Sequence, residues 1–256
     1  MKLAILGGAG RMGQMLLESA KAMGLNVVAV TEQPTHPLIG KPVSNGLFYQ
    51  ATWPKEADTI IDFTFHTCVT ENLANAVKYR QAYVLGTTGL TEAELAAVDE
   101  AAKQIPLCFA PNFSLGINLL LELVQRAASV LDESYDIEIT EMHHRHKKDA
   151  PSGTALGLAQ AAAAGRKVAL DEVACYGRHG IVGERPVGEI GLHALRGGSV
   201  VGDHTVLFAA DEERVEITHK ASSRVAFAKG ALKAGLWLQG RAPGHYTMRH
   251  VLGFAE

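Results

Sequence analysis

The sequence is poor in cysteine, in excess charge of either sign and in long apolar runs, and each shortage removes a class of protein. Its three cysteines, Cys68, Cys108 and Cys175, form an odd, scattered set without CxxC spacing. That argues against a disulfide framework and a cysteine metal site, so free thiols in a reducing compartment are expected. A formal net charge of -3 and a pI near 6.4 argue against a general nucleic-acid binder, which would be basic overall. The most apolar stretch, 115–131, is interrupted by Asn118, Glu122, Gln125 and Arg126, so no membrane span is expected. The opening Met-Lys-Leu-Ala-Ile-Leu turns glycine-rich too soon for a secretory signal, and the expected location is the cytoplasm. There is no internal repeat or low-complexity tract, and the two tryptophans, Trp53 and Trp237, read as packing groups.

At 256 residues the chain suits one large domain or two modest ones, and folding at this size buries roughly 70–75% of the unfolded surface. The first half alternates short β-branched runs with helical patterns, the mark of βαβ units and a parallel sheet. Strands are expected at 2–6, 26–31, 59–64, 83–86 and 107–110, and helices at 11–23, 69–80, 91–103 and 115–131. Thr91 followed by Glu94 forms a capping-box pattern at one helix start. Beyond 131 the rhythm changes. A strand at 135–143 alternates, with Ile137, Ile139, Glu141 and His143 on one face. A polar loop, 144–151, leads to a helix at 153–164; strands at 187–195, 200–209 and 215–220 and a last helix at 225–238 follow. The expected fold is α/β: an N-terminal Rossmann dinucleotide-binding domain plus a C-terminal α+β domain with an open mixed sheet. Residues 1–114, completed by 224–256, are assigned to the first, and 115–223 to substrate binding and oligomerisation.

Gly8, Gly10 and Gly13 make a GxGxxG between the first strand and the first helix. Such glycines permit a tight turn and close approach of backbone N–H groups to a pyrophosphate, with the helix N-terminus behind them. Glu32, at the end of the second strand, is placed to accept hydrogen bonds from an adenosine ribose. Gly86, Thr87, Thr88 and Gly89, then Ala110, Pro111, Asn112 and Phe113, follow two further strands. In open α/β sheets ligands sit beyond such strand ends, so these loops are candidates for a nicotinamide pocket.

Residues 143–148 are six successive basic or protonatable side chains, followed by Pro151, Ser152, Gly153 and Thr154 at a helix start. A metal site through Glu141, His143, His144 and His146 is disfavoured by Arg145, Lys147 and Lys148 and by the opposite facing of adjacent strand residues. A bland solvated patch leaves the helix start unexplained. An anion site with acid–base capacity, suited to a small carboxylate-bearing substrate, accounts for both features. His204 and His219 read as packed or solvated, and Arg224 either as a simple surface residue at a helix start or as one that reaches the substrate domain or acts at an interdomain hinge.

The motifs Gly10–Gly13, Asp62-Phe63-Thr64, Gly86–Gly89, Asn112–Asn118, Arg196–His204 and Ser223–Ala231, with the more specific Glu141–Ala155, resemble the bacterial 4-hydroxy-tetrahydrodipicolinate (dihydrodipicolinate) reductase family nearly end to end. The resemblance implies NADH- or NADPH-dependent reduction of a cyclic unsaturated dicarboxylate to tetrahydrodipicolinate in diaminopimelate and lysine synthesis. It implies a homotetramer assembled through the second domain's sheet; on the residues themselves, no metal, membrane or nucleic-acid partner is expected. It places acid–base work on His143, proton donation or charge stabilisation on Lys147, and substrate contacts on His144, Gly153 and Thr154. Cofactor contacts fall on Gly7, Gly8, Ala9, Gly10, Arg11, Met12, Glu32, Gly86, Thr87, Thr88, Ala110, Pro111, Asn112 and Phe113. Family members commonly carry arginine after the acid of the second strand; here Gln33 stands there, so NADH is expected to serve at least as well as NADPH. His66 and His250 are further departures, outside the expected chemistry. The residues alone leave two rivals: another Rossmann dehydrogenase of amino-acid metabolism, or a non-enzymatic NAD-binding sensor.

Overall fold

The computed structural model describes residues 1–43 and 46–255. It divides into two compact units: Met1–Leu115 with the chain from Arg224 onward, and Gly116–Ser223.

The first unit is built on β1 (Lys2–Leu6), β2 (Asn26–Thr31), β3 (Tyr49–Gln50), β4 (Thr59–Asp62), β5 (Ala82–Leu85), β6 (Pro106–Phe109) and β12 (Gly244–Tyr246). Every pairing is parallel, in the order β12-β6-β5-β4-β1-β2-β3. All-parallel sheets are covered on both faces, which is why β4 and β5 are buried along their whole length, with Ile60 and Ile61 between the polar Thr59 and Asp62 in β4. On one face Leu3 and Ile5 pack with α1 (Arg11–Ala22) and α7 (Val225–Trp237) through Leu16, Ala20, Ala231 and Leu232. On the other, Ala4 and Leu6 pack with α2 (Val69–Lys78) and α3 (Glu92–Ala102) through Leu73, Ala76 and Val98. Burying each large aliphatic side chain contributes about 1.5–3 kcal/mol. The chain runs outward from β1 in one direction through β2 and β3 and in the other through β4, β5 and β6. This leaves a topological switch between β1 and β4, the place where such sheets bind ligands. Thr91 caps α3 in the expected capping box.

The second unit has the sheet order β11-β10-β7-β9-β8. Its strands are β7 (Asp136–His143), β8 (Ala174–Tyr176), β9 (Ile190–Arg196), β10 (Gly202–Ala209) and β11 (Arg214–Ala221). β10 is antiparallel to both neighbours, whereas β9 is parallel to β7 and β8, so the sheet is mixed. One face packs Ile137, Ile139, Val206 and Phe208 on α4 (Leu115–Val130) and α5 (Gly153–Arg166). Gly165 is needed here: a Cβ would collide with Gln125 O and Ala128 of α4. The opposite face carries Glu138, Thr140 and Met142 of β7. Glu138 pairs there with Arg178, Arg185 and His193.

Several boundaries differ from the sequence reading. β4 stops at Asp62 because its Oδ1 accepts the Thr64 N–H at 2.7 Å and turns the chain. β9 starts at Ile190, not 187, after Gly188 at φ 81. β3, β8 and β12 are two or three residues long, too short for an alternation to register. A single 3-10 turn (His66–Cys68) and two short helices, α6 (Leu170–Val173) and α8 (Met248–Val251), complete the described elements.

Candidate functional site

Each unit holds one part of the expected machinery. In the first, Gly7 adopts φ +68 and turns the chain out of β1. The Gly7 and Gly8 N–H groups both donate to Thr31 O, at 3.0 and 3.1 Å, which locks the turn to β2. A Cβ on Gly8 would overlap Val30, and one on Gly13 would overlap the Gly7 and Gly8 backbone. α1 then starts behind Gly10 with no side-chain cap and no acidic residue in its first turn. That leaves first-turn donors and the positive dipole end for an anion. Glu32 Oε1 accepts the Ala9 N–H at 2.7 Å, and Gln14 braces the turn through Gly8 O and the Tyr49 hydroxyl.

A cavity of about 560 Å³ opens beside this turn, at the ends of β1, β2 and β4. Of the expected cofactor residues, Gly7, Gly10 and Glu32 line it; Gly8, Ala9, Arg11, Met12 and the loops 86–88 and 110–113 do not. Thr64 also lines it, and its Oγ1 is buried without a hydrogen-bond partner among the described residues. A buried hydroxyl left unpaired costs free energy. With the Cβ-free cradle, it makes the cavity fit a polar ligand such as a dinucleotide. No lysine or arginine appears in the lining, whereas Glu32 and Glu71 do.

The other expected contacts serve the strand ends. Gly86 leaves room for the Phe63 ring, and Thr87 is buried with its hydroxyl on Asp62 and Thr64 O. Asp62, fully buried, also takes Asn72 at 3.0 Å and the Tyr83 hydroxyl. Burial first, then the Asp62 charge, pushes the Tyr83 phenol well above its usual range. Phe113 is buried edge-on to Phe63 at 5.8 Å, and its carbonyl occupies the space a Gly230 side chain would need. Ala110 is buried, Pro111 and Thr88 are exposed, and Asn112 caps the Ser114 N–H at 2.8 Å. Sequence reasoning passed over Phe63, Thr64, Phe65 and Cys68 as lining residues. The strand-end rule applied to Asp62-Phe63-Thr64 would have found Phe63 and Thr64, whereas no sequence signal marks Phe65 or Cys68.

In the second unit, the pleat of β7 places Glu141 and His143 on the same buried face. Glu141 Oε2 meets His143 Nδ1 at 2.6 Å. Arg196 grips both oxygens, at 2.8 and 2.9 Å, and the Ser152 N–H donates to Oε1 at 3.0 Å. Burial would raise the Glu141 pKa, but Arg196, His143 and the Ser152 amide outweigh it and hold the carboxyl below its usual range. His204 stands edge-on to His143, ring centroids 5.1 Å apart, with Nε2 3.2 Å from Ser152 Oγ. Burial, then the neighbouring His143, lowers the His204 pKa to about 4.

Ser152 is the N-cap of α5: its Oγ accepts the Ala155 N–H at 3.1 Å, and the first backbone bond of the helix runs from Leu156 N to Ser152 O. The positive end of the helix dipole therefore lies at Gly153 and Thr154, and a Cβ on Gly153 would meet nothing within 4 Å. The Lys147 ammonium sits 2.9 Å from Asp149, whose carboxyl it holds below its usual range. The end of β7, the turn after it and the start of α5 thus carry His143, His144, Lys147, Gly153 and Thr154 over one short stretch of chain. No grouping of three or more His, Cys, Asp or Glu side chains suited to a metal ion occurs among the described residues. None of their helices is long and apolar enough to cross a membrane.

Family models described as dihydrodipicolinate reductase, N-terminus, and dihydrodipicolinate reductase, C-terminus, match residues 1–113 and 116–252. The chain belongs to the dihydrodipicolinate reductase family. A 4-hydroxy-tetrahydrodipicolinate reductase of Ruegeria pomeroyi is 48% identical over 262 residues, covering 98% of this chain and 97% of that protein. One of Akkermansia muciniphila is 48% identical over 256 residues, covering 99% and 98%. Among solved structures, a dipicolinate-bound dihydrodipicolinate reductase from Paenisporosarcina sp. TG-14 shares the fold. Its TM-score is 0.79 at 24% identity, over 96% of this chain and 97% of that one. Membership of this reductase family implies a nicotinamide dinucleotide cofactor.

Proposed function

We propose that the chain reduces 4-hydroxy-tetrahydrodipicolinate (dihydrodipicolinate) to tetrahydrodipicolinate, in the cytoplasm, as a step of diaminopimelate and lysine synthesis. The carrying observation is the basic turn 143–148 leading into the α5 N-terminus, with His143 tethered to a buried carboxylate. Family membership along nearly the whole chain supports the substrate assignment.

Residues 1–114 with 224–256 are the dinucleotide-binding part, and 115–223 the substrate-binding and oligomerisation part. The glycine turn and the α1 N-terminus receive the pyrophosphate, and Glu32 exchanges its Ala9 contact for ribose hydroxyls. Gly86, Thr87 and Thr88, with 110–113, shape the nicotinamide end. The bound reduced nicotinamide supplies a hydride. His144, the Gly153 and Thr154 backbone and the helix dipole hold the substrate carboxylates. Lys147 stabilises the negative charge that hydride addition leaves on the ring, and His143 delivers the proton. NADH serves at least as well as NADPH: two acids and no cation line the cavity, and Gln33 is neutral. Four copies assemble through the second unit's sheet, whose Glu138-bearing face lies opposite α4 and α5.

The test is a coupled assay with freshly generated substrate, following NADH and NADPH oxidation by the loss of the reduced nicotinamide's absorbance. Substrate-dependent oxidation is expected. Turnover of amino-acid dehydrogenase substrates instead would favour the rival dehydrogenase reading, and no oxidation with any substrate would favour the sensor.

A further inference from the structure

Arg196 and Glu141 lie 55 residues apart and meet because β9 runs parallel to β7, with His143 in register with Arg196. Glu141 is 1% exposed. Removing such a carboxylate from water costs several kcal/mol unless its oxygens are paired. Here each oxygen has two donors: Arg196 and Ser152 N–H on Oε1, Arg196 and His143 Nδ1 on Oε2. The same strand pair fixes the His143 backbone, since the Gly197 N–H donates to His143 O at 2.9 Å. A carboxylate only accepts hydrogen bonds, so the imidazole must carry its hydrogen on Nδ1 and keep Nε2 for other work. Gly202 carries no side chain to crowd that second nitrogen: a Cβ there would approach Nε2 to 2.9 Å.

We propose that Glu141, held in place by Arg196, is a positioning residue that fixes the tautomer and orientation of His143, making Nε2 its acid–base atom. The inference rests on the reading of His143 as the proton donor. The charged and titratable groups facing this imidazole are Glu141 on its own strand, Arg196 on β9 and His204 on β10. In the step itself, the hydride forms the new C–H bond. The Nε2–H bond of the imidazolium then breaks, and its proton goes to the ring atom carrying the resulting negative charge. The imidazole is left neutral with Nδ1–H still on Glu141. Glu141 never takes the proton.

The test pairs steady-state kinetics with nitrogen NMR of histidine-labelled whole protein. In the wild type, neutral His143 is expected as the Nδ1–H form. Glu141→Gln can turn its amide donor towards Nδ1 and favour the other form. It should lower kcat on the order of tenfold to a hundredfold, while the substrate KM moves less than about threefold. Arg196→Lys keeps the charge but cannot grip both oxygens, and should show an intermediate kcat loss with the same unchanged KM; it carries the test if Glu141→Gln does not fold. Wild-type His143 found as the Nε2–H form, or kcat within about threefold of wild type in a folded variant while His143→Gln is inactive, overturns the inference alone. Full turnover by His143→Gln overturns the acid–base reading and this inference with it.

Discussion

Glu32 Oε1 accepts the Ala9 N–H at 2.7 Å, so the carboxylate just beyond β2 is bonded directly to the glycine turn that follows β1. A 2′-phosphate brought to this corner would meet Glu32 and Glu71 and no cation of the lining. NADH is therefore expected to give a kcat/KM at least equal to that of NADPH. Glu32→Ser with Gln33→Arg should shift the ratio towards NADPH by roughly tenfold or more, about 1.4 kcal/mol. Steady-state kinetics with both cofactors checks this, and a large NADPH preference in the wild type contradicts it.

The turn itself tolerates no side chain at its far end. In Gly13→Ala the new methyl has only Gly7 and Gly8 backbone to displace, so a loss of about 1–3 kcal/mol is expected. Thermal melts should show the Tm falling by about 2–4 °C per kcal/mol, with weaker dinucleotide binding by calorimetry. An unchanged melt and unchanged affinity would mean that the turn does not close as described.

His204 gives a pH dependence of defined sign. Its folded-state pKa, about 4, lies below the unfolded value of about 6.5, so the unfolded chain binds the extra proton. Stability is then fully present above about pH 6.5 and is lost as pH falls towards 4, by roughly 3 kcal/mol at most. His219, also lowered by burial, acts in the same direction. Urea midpoints between pH 7.5 and 5 should fall in the wild type and fall less in His204→Gln. Parallel curves would remove His204 as the cause.

Much of this molecule is legible in its sequence because the informative signals are local. The strand–turn–helix around Gly8, Gly10 and Gly13, the alternation of Ile137, Ile139, Glu141 and His143, and the Thr91 capping box all lie within a few residues. What is not legible depends on partners far along the chain. Arg196 reaches Glu141, Gly230 makes room for Phe113, and Arg185 reaches Glu138 only after the sheets have formed. The edge strands β3, β8 and β12 exist because a neighbouring strand offers hydrogen bonds, a cause that no propensity in two or three residues can announce.

The Glu138 face of the second sheet is the one through which assembly is proposed. Arg178, Arg185 and His193 hold Glu138, whose pKa burial would raise but these partners lower to about 2. Light scattering coupled to gel filtration is expected to give the mass of four chains. Glu138→Ala, which leaves two arginines without that partner, is expected to shift it towards smaller species. A wild-type monomer would contradict assembly through this sheet.

The most direct measurement is a crystal structure of the protein with pyridine-2,6-dicarboxylate and the dinucleotide. The two carboxylates are expected against His144, Lys147 and the Gly153 and Thr154 amides, with His143 Nε2 turned to the ring. A dicarboxylate bound away from residues 143–154 would contradict the assignment of this turn as the place where the substrate is held and protonated.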